Sequence, residues 1–485
     1  MRSPRRMEPL VNKTSSSFSR RGLLGGLSLA TLFVAAPAVL AAPGNLFGEQ
    51  AEWAQRYDAD ARLTVPRSTT PILSQQTLAA TENAIQQHQR IVASGGWGSL
   101  PNATLKIGAN SSAVVALRRR LAGSGDLDVE AGASPVFDSY VEAGVKRFQA
   151  RHGLGETGVV SEQTLAALNV PAEVRLRQLE TNLIRLRSFS GNLGRRYVTA
   201  NIPAAHVETV EDGVVITHHA AGVGKIDRQS PIMQTKATDI NFNPFWTVPA
   251  SIIRKDLIPK MQKDPNYLTD NKIRIFNKDG MEVSPQQINW RSLEAVNFKF
   301  RQDPAADVNS LGFVRINIAN PYGVYMHDTP AKGIFGDDFR FVSSGCMRVQ
   351  NVKDYVTWLL KETPGWTRDK IDEAIRSGER IDAKLEKPVP VYWVYITAWA
   401  TPEGIVQFRD DIYQKDGFGP VAAVAPQAAQ PVGYQQDGYQ QPAGYQQAAP
   451  QYAPAPYGSA PYGASGYEPA GAAAGGALAP MNDDD

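Results

Sequence analysis

The chain has 485 residues, 42% of them hydrophobic, which is enough for two or three domains with buried cores. Its 50 basic and 48 acidic residues leave a formal net charge of +2, without the basic excess of nucleic-acid-binding proteins. A single cysteine, Cys346, excludes an intramolecular disulfide framework and a cysteine-rich metal site. We therefore expect a globular protein that is held together by core packing and has no nucleic-acid partner.

The first 41 residues have the pattern of an export signal. Basic residues are followed by Arg20 and Arg21 and then by an apolar run from Gly22 to Ala42, which is a twin-arginine pattern. Small residues before Ala41 predict cleavage after that position. The alternative is an uncleaved membrane anchor, because the run is just long enough to span a bilayer. Both alternatives place the rest of the chain outside the cytoplasm, and we expect a periplasmic protein.

Residues 42–105 contain a helix-like stretch from Gln75 to Ala93, and the sequence assigns this region no function. Residues 106–171 form three short helical patterns joined by glycine-rich stretches. The apolar residues of each pattern share one helix face, at Val114, Leu117 and Leu121, at Val141, Val145 and Phe148, and at Leu165 and Leu168. The region is predicted to be a small three-helix bundle.

A series of short motifs runs through this bundle. They are Val145-Lys146-Arg147-Phe148-Gln149, Gly153-Leu154, Gly158, and Thr164-Leu165 followed by Leu168-Asn169. Together they resemble the signature of the peptidoglycan-binding domain. The resemblance implies a module that binds the cell wall, and the alternative is a packing module that binds nothing.

The remaining chain divides into three parts. A leucine stripe over 172–195 predicts a helix that links the bundle to a second domain. From 196 to 413 the pattern becomes alternating or continuous β, interrupted at about 251–300 by helical stretches that predict an insertion above a sheet. Residues 414–485 consist mainly of Ala, Pro, Gln, Gly and Tyr, a composition that predicts a disordered tail.

The cysteine lies in the stretch Ser343-Ser344-Gly345-Cys346-Met347-Arg348, and His327 lies 346 − 327 = 19 residues upstream. A thiol that attacks an amide needs a base within hydrogen-bond reach, and His327 is the histidine nearest to it in the chain. Gly345 lets the backbone turn sharply, so that the amides of Gly345, Cys346 and Ser344 can donate to an oxyanion. We expect Cys346 to be the nucleophile, partly ionised by His327 and the amide dipoles, and His327 to be the general base and acid.

This constellation resembles the L,D-transpeptidase catalytic domain of the YkuD type. The signature of that family is a His, a gap, then Ser or Thr, His, Gly, Cys and often an Arg two residues on. Ser344 stands where the family usually has its second His. The Ser-Ser-Gly-Cys form is similar to the large Gram-negative branch, which carries an inserted peptidoglycan-binding domain and a helical capping insertion. The resemblance extends roughly from Ala172 to Tyr413.

The resemblance implies a multidomain α+β protein with a mostly β catalytic domain, in which Cys346 and His327 face each other under the insertion. It implies attack of the thiol on the diaminopimelate carbonyl of a tetrapeptide stem, release of D-Ala, and transfer of the acyl group to a second stem in a 3-3 cross-link. The acceptor stays open between a second stem, a D-amino acid, water and an envelope protein. Carbapenem-type inhibitors are expected to acylate the thiol, and neither a cofactor nor a metal is expected.

Four further residues are candidates for substrate binding or positioning. Arg348 is expected to bind a substrate carboxylate as a planar fork, or else to form an ion pair within the domain. Asp328 is expected to fix the His327 ring through its side chain or its carbonyl, or to cap the turn before Thr-Pro. Tyr325 and Trp246 are expected to line the cleft, or else to pack in a β core.

Other enzyme classes fit the sequence less well. Sortases resemble a Thr-Leu-x-Thr-Cys motif that is absent here, and papain-like peptidases place the Cys before the His. A metal hydrolase needs clustered ligands, whereas the adjacent His218 and His219 point to opposite faces of a strand. The last alternative is an inactive wall-binding protein in which Ser344 marks the loss of activity, and the intact Cys346 and His327 argue against it.

Overall fold

The structure, a computed structural model, describes residues 65–129, 133–189, 191–304 and 307–417. The expected export signal over 1–41 and the expected tail from 418 onward lie outside the described residues. No helix within the described ranges combines the length and the apolar character needed to cross a bilayer. All described residues belong to one compact unit, Met1–Gln427, and the other unit, Ala428–Asp485, lies outside them.

The described residues form short helices around a large sheet. The α-helices are α1 (Gln75–Ala93), α2 (Ser112–Gly123), α3 (Ser139–Arg151), α4 (Glu162–Leu168), α5 (Ala172–Phe189), α6 (Ala250–Ile252), α7 (Ile258–Lys263), α8 (Tyr267–Asp270), α9 (Val352–Leu360) and α10 (Arg368–Ser377). A π-helical turn, Ile253–Leu257, joins α6 to α7. Short 3-10 helices lie at Pro285–Gln287, Glu294–Asn297 and Lys332–Gly336.

The strands are numbered in chain order. They are β1 (Arg196–Asn201), β2 (His206–Glu211), β3 (Val214–Gly224), β4 (Met233–Phe242), β5 (Trp246–Thr247), β6 (Ile273–Phe276), β7 (Glu282–Val283), β8 (Lys299–Gln302), β9 (Val314–Ile318), β10 (Met326–His327), β11 (Phe341–Ser343), β12 (Met347–Val349), β13 (Ile381–Val394), β14 (Ala398–Ala400) and β15 (Val406–Phe408).

The three-helix bundle predicted from the sequence is formed by α2, α3 and α4. Their predicted apolar stripes are buried in one shared core. The start of α3 follows from Asp138, whose carboxylate accepts hydrogen bonds from the amides of Tyr140 and Val141 and so satisfies two donors of the first turn. The expectation of a small helical module is therefore confirmed.

Helix α5 does more than link two domains. It packs against α1, and its buried Leu183 shares a core with Ala84 and Ile85 of α1 and with Phe408 of β15. Further along α5, Leu186 packs on Val394 at the end of β13. The two helices α1 and α5 therefore cover one part of the main sheet, and the previously unassigned α1 is part of that cover.

The main sheet has the strand order β11-β3-β12-β10-β9-β4-β13-β1-β2, and β2 also pairs with β3. The sheet therefore closes on itself. The pairs β1–β13, β10–β12 and β11–β3 are parallel and the other pairs are antiparallel. Its inner face is apolar and packs around α9, for example through Tyr355, Val356 and Leu359. Burial of each such side chain contributes about 1.5–3 kcal/mol to stability.

The insertion expected to be helical is a mixed structure. It contains the π-joined helices α6 to α8 and also a four-stranded sheet with the order β5-β8-β6-β7. The insertion has its own core, which includes Leu257, Met261, Leu268 and Phe300. The sequence analysis missed this sheet because its strands are only two to four residues long. This insertion, from β5 to β8, is called the cap below.

The described chain also runs slightly past the boundary expected for the tail. Asp416 is buried, and its carboxylate forms a 2.5 Å ion pair with Arg185 of α5. The same carboxylate accepts a 2.6 Å hydrogen bond from the hydroxyl of Thr397. These contacts tie residues up to 417 to α5 and to the segment after β13.

Candidate active site

Strand pairing brings the two expected catalytic residues together. The two-residue strand β10 lies between β9 and β12, and its register sets His327 opposite Arg348 on β12 and opposite Arg315 on β9. Cys346 immediately precedes β12, where the amide of Met347 donates to the carbonyl of Tyr325 over 3.0 Å. Side chains alternate between the two faces along a strand. Cys346, Arg348, His327 and Arg315 therefore share the outer face of the sheet, whereas Met347 points into the core.

His327 is held as a neutral ring with a defined tautomer. The ring is 5% exposed, and its Nδ1 lies 2.5 Å from the backbone carbonyl oxygen of Asp328. Since a carbonyl only accepts hydrogen bonds, Nδ1 carries the proton and Nε2 is left as the acceptor. Burial and the nearby charge of Arg348 lower the pKa of His327 to about 3. The ring is therefore uncharged at neutral pH.

The thiol of Cys346 is protonated in the resting protein. Burial raises its pKa to about 11, and the opposing effects of the Tyr325 backbone, Arg315 and Arg348 are smaller. This differs from the expectation that His327 and the amide dipoles ionise the thiol in part. The physical reason is that removing the charged thiolate from water costs more than these neighbours return. At neutral pH the thiol of Cys346 and the ring of His327 are therefore both uncharged.

The loop before the thiol is tied down from both sides. Gly345 has φ +113°, a conformation that favours glycine, and its amide donates to the hydroxyl of Ser343 over 3.1 Å. Its carbonyl accepts a 2.9 Å hydrogen bond from Ser230. Of the three amides expected to form the oxyanion hole, that of Gly345 is thus occupied. The amides of Ser344 and Cys346 donate to no atom of the described residues.

Ser344 connects the nucleophile loop to the cap through an arginine that the sequence analysis missed. Arg228 donates from Nη1 to the Ser344 hydroxyl over 2.9 Å and to Asp256 over 2.5 Å. Asp256 belongs to the π-helical turn of the cap. Arg228 lies within the range of the family resemblance, but nothing in the sequence pairs it with Asp256, which lies 28 positions further along the chain.

Two arginines flank the thiol without an ion pair to any described residue. They are Arg348 and Arg315, and the Nε of each is buried and has no hydrogen-bond partner in the described part of the chain. Arg315 lies with its guanidinium 4.7 Å from the centre of the Tyr325 ring. The alternative of an internal ion pair for Arg348 is therefore not seen here, and Arg315 is a second candidate that the sequence analysis did not single out.

The other residues expected near the site have defined positions. The Tyr325 ring meets the His327 ring edge-on at 5.7 Å, and its hydroxyl accepts a hydrogen bond from Trp246, which is buried in the cap core. Asp328 positions the imidazole through its carbonyl, because its carboxylate forms an ion pair with Lys332 and accepts from the amide of Phe313. Tyr325 thus joins the thiol face to the cap.

One further group of polar residues lies on β2 and β3. The donor atoms of His206, Glu208 and His218 lie within 4.8 Å of one another. His206 Nε2 and His218 Nδ1 are 3.0 Å apart, and the amide of Ile72 donates to Glu208. Burial lowers the pKa of His206 and His218 and raises that of Glu208 to about 7, and the positive charge of nearby Arg67 disfavours a cation among them. This cluster lies on β2 and β3, apart from Cys346, and we assign it no metal.

Family models and relatives agree with this architecture. Residues 195–368 match the L,D-transpeptidase catalytic domain (YkuD), and residues 110–168 match a "putative peptidoglycan binding domain". A curated relative from Haemophilus influenzae, "Putative L,D-transpeptidase", is 35% identical over 219 residues, which are 45% of this chain and 44% of the relative. The match thus spans less than half the length of that relative.

Two solved L,D-transpeptidase structures were also found. That from Xylanimonas cellulosilytica is 15% identical, covers 61% of this chain and 100% of its own, and has a TM-score of 0.20. That from Stackebrandtia nassauensis is 13% identical, covers 61% of this chain and 96% of its own, and has a TM-score of 0.23. At these TM-scores neither structure adds weight to the assignment.

The family matches coincide with the elements described above. Strand β10, which carries His327, and Cys346 just before β12 lie within the first match, and the bundle of α2, α3 and α4 coincides with the second. Strand β13 lies beyond the first match, yet it completes the main sheet between β4 and β1. The chain therefore contains an L,D-transpeptidase catalytic domain of the YkuD family, joined to a peptidoglycan-binding domain.

Proposed function

We propose that the protein is a peptidoglycan L,D-transpeptidase that works through a thioester on Cys346. The observation that carries this proposal is the neutral His327, whose Nε2 is left as an acceptor on the same sheet face as the thiol. In the first step the Sγ attacks the diaminopimelate carbonyl of a tetrapeptide stem, and Nε2 takes the thiol proton. The same proton then goes to the amine of the departing D-Ala.

The second step consumes the thioester. An amine of the acceptor attacks its carbonyl carbon, gives up a proton to His327, and displaces the thiolate, which regains its proton from the imidazolium. With a second stem as acceptor the product is a 3-3 cross-link. The open amides of Ser344 and Cys346 are suited to hold the oxyanion in both steps, and Arg348 and Arg315 are suited to bind a stem carboxylate.

The acceptor also defines the rival activities. Water as acceptor would make the protein an L,D-carboxypeptidase, and a free D-amino acid or the amine of an envelope protein would make it an exchange or attachment enzyme. An inactive wall-binding protein is disfavoured, because His327 keeps a defined tautomer beside an intact thiol. We further propose that the protein acts in the periplasm, where its substrate lies, and that carbapenem-type inhibitors acylate it.

The proposal is tested with a synthetic tetrapeptide stem. Purified protein is expected to release D-Ala and to form the tripeptide–tetrapeptide dimer, both followed by mass spectrometry. Cys346→Ala is expected to form neither product. Tripeptide without dimer would identify the carboxypeptidase instead. Product formation by Cys346→Ala, or none by folded wild-type protein, would contradict the proposal.

The link between Ser344 and the cap predicts a graded effect on acyl transfer. Arg228→Ala removes the hydrogen bonds to Ser344 and to Asp256, whereas Ser344→Ala removes only one of them. Because a hydrogen bond to a charged group contributes about 1.5–3 kcal/mol, we expect kcat/KM to fall about ten- to a hundredfold in Arg228→Ala. In Ser344→Ala and in Ser344→His we expect a smaller loss, within about tenfold, because Arg228 keeps its ion pair with Asp256 and the backbone of residue 344 stays in place.

The matched control is Arg254→Ala, which removes the same charge from the exposed side of the π-helical turn. It is expected to leave kcat/KM unchanged. An equal loss in Arg254→Ala would show a general charge effect, and full activity of Arg228→Ala would show that the cap does not position the nucleophile loop.

A further inference from the structure

A cavity of about 300 Å³ lies between the peptidoglycan-binding bundle and the elements that cover the main sheet. One wall comes from α2, α3 and the residues just after α2. The opposite wall comes from α1, α5 and the turn between β14 and β15. None of the residues on the thiol face lines it. The cavity is therefore distinct from the candidate active site and is shared by two parts of the chain.

Arg120 of α2 is held in place at this cavity, and its Nη1 has no hydrogen-bond partner among the described residues. Its side chain is buried, with 3% of the residue exposed, and its Nε donates to the carbonyl of Leu168 over 2.8 Å. Its guanidinium lies 3.9 Å from the centre of the Trp97 ring. The unpaired Nη1 is itself buried. Leaving such a buried donor unpaired is unfavourable, and a ligand oxygen would satisfy it.

The charges around the cavity are strongly unbalanced. Four arginines line it, whereas Asp126 is the one acidic residue among its described lining residues. Arg151 uses that carboxylate in a bidentate pair of 2.6 and 2.5 Å, and Arg147 donates to the Asp126 carbonyl over 2.9 Å. Arg175 keeps a buried Nε without a partner among the described residues. The lining therefore carries a net positive charge that its own carboxylate does not neutralise.

The remaining lining is apolar or uncharged. Trp97, Ile91 and Phe408 supply apolar surface. His88 and His152 also line the cavity, and burial lowers the pKa of both rings, so that they add no positive charge at neutral pH. A volume near 300 Å³ is at the small end of ligand sites and fits one or two residues of a peptide. The cavity thus combines apolar walls with an unpaired, planar donor.

We propose that this cavity binds a carboxylate of a peptidoglycan stem peptide, with Arg120 as the principal donor and Arg175 as the second. The chemistry fits, because a guanidinium donates to a carboxylate in the plane of its fork and Trp97 fixes that plane. The assignment of the ligand to the wall rests on the proposed function. Since the bundle supplies only one wall, the site exists only when the bundle is docked on α1 and α5.

The test uses the full chain in the Cys346→Ala background, so that binding is measured without turnover. Binding to purified sacculi is measured by sedimentation over a range of sacculus concentrations. Loss of one charge-assisted hydrogen bond predicts that Arg120→Gln weakens binding by about tenfold or more, with a smaller loss in Arg120→Lys, which keeps the charge but not the fork. The matched control is Arg119→Gln, which removes an exposed arginine at the adjacent position of α2 and is expected to bind as before.

Competition identifies the group that is bound. A synthetic stem tetrapeptide with free carboxylates is expected to displace the protein from sacculi, whereas its fully amidated form and an uncharged N-acetylglucosamine oligomer are not. Equal competition by the amidated peptide or by the oligomer would overturn the proposal. If Arg120→Gln does not fold, Arg147→Gln replaces it, because Arg147 is half-buried and also lines the cavity. This variant is also expected to bind sacculi more weakly.

The outcomes separate this site from the catalytic proposal. Unchanged sacculus binding by folded Arg120→Gln, or by Arg147→Gln where it replaces that variant, would overturn the carboxylate site even if wild-type protein releases D-Ala. An equal loss of binding in Arg119→Gln would also overturn it, since a general charge effect would then suffice. Arg120-dependent binding by a protein that forms no transfer product would support the site and contradict the catalytic proposal.

Discussion

Incubation of the wild-type protein with a carbapenem is expected to add one acyl group to Cys346, and His327→Ala is expected to slow this acylation by about 10²- to 10⁴-fold. The thiol is neutral in the resting protein, so its proton must leave as the sulfur attacks the β-lactam carbonyl. Nε2 of His327 is the acceptor left open for that proton. The adduct is measured by intact-mass spectrometry, and the rate by the disappearance of unmodified protein.

Three variants make this result specific. Cys346→Ala and Cys346→Ser are expected to remain unmodified, since neither offers a thiol. His206→Ala removes another partly buried histidine, on β2, and is expected to be acylated at the wild-type rate. An adduct that persists in Cys346→Ala would contradict the nucleophile, and an unchanged rate in His327→Ala would contradict the base.

The identity of the catalytic pair could be predicted from the sequence because both residues lie in one short stretch. Met326 and Met347 are buried and alternate with the polar residues beside them, so the pattern also places His327 and Cys346 on one face once the strands are paired. The buried apolar stripes of α2, α3 and α5 were predictable for the same reason, since helical periodicity is local.

What the sequence could not supply depends on contacts between distant segments. The thiol of Cys346 was expected to be partly ionised, but the effect of burial on its pKa outweighs that of the nearby charges. The extent of this burial is set by tertiary packing, which the sequence does not show. Arg228 meets Ser344 over a separation of 116 residues, and Arg315 reaches Tyr325 through strand pairing. The cavity beside Arg120 likewise exists only because α2 and α3 dock on α1 and α5.

The sheet of the cap shows a different limit. Its strands contain two to four residues, which is too short for an alternating pattern to stand out from turns. The π-helical turn Ile253–Leu257 is also invisible in a periodicity of 3.6 residues. That turn carries Asp256, so the feature least accessible to sequence reasoning is the one that connects the cap to Ser344.

The reactivity of Cys346 toward a small alkylating agent is expected to rise about tenfold per pH unit from pH 6 to 9, because the thiolate is the reactive species. A thiol with a pKa of about 11 is almost fully protonated over this range, so its thiolate fraction keeps growing and shows no plateau. A preformed thiolate–imidazolium pair would instead react at a nearly constant rate around neutral pH. The rate is measured with iodoacetamide by intact-mass spectrometry, on a chain whose single cysteine leaves no other thiol to count.

Variants of the two neighbouring charged or basic groups test the cause of this profile. His327 has a pKa of about 3, so it stays neutral from pH 6 to 9. The alkylation rate is therefore expected to show no inflection near the ordinary pKa of a histidine. His327→Ala is therefore expected to keep the same slope in alkylation, although it slows acylation by a carbapenem. Arg348 lowers the pKa of the thiol, so Arg348→Gln is expected to shift the alkylation profile to higher pH. A plateau between pH 6 and 8 in wild-type protein that disappears in His327→Ala would show that the resting site holds an ion pair, and would contradict a neutral thiol facing a neutral base.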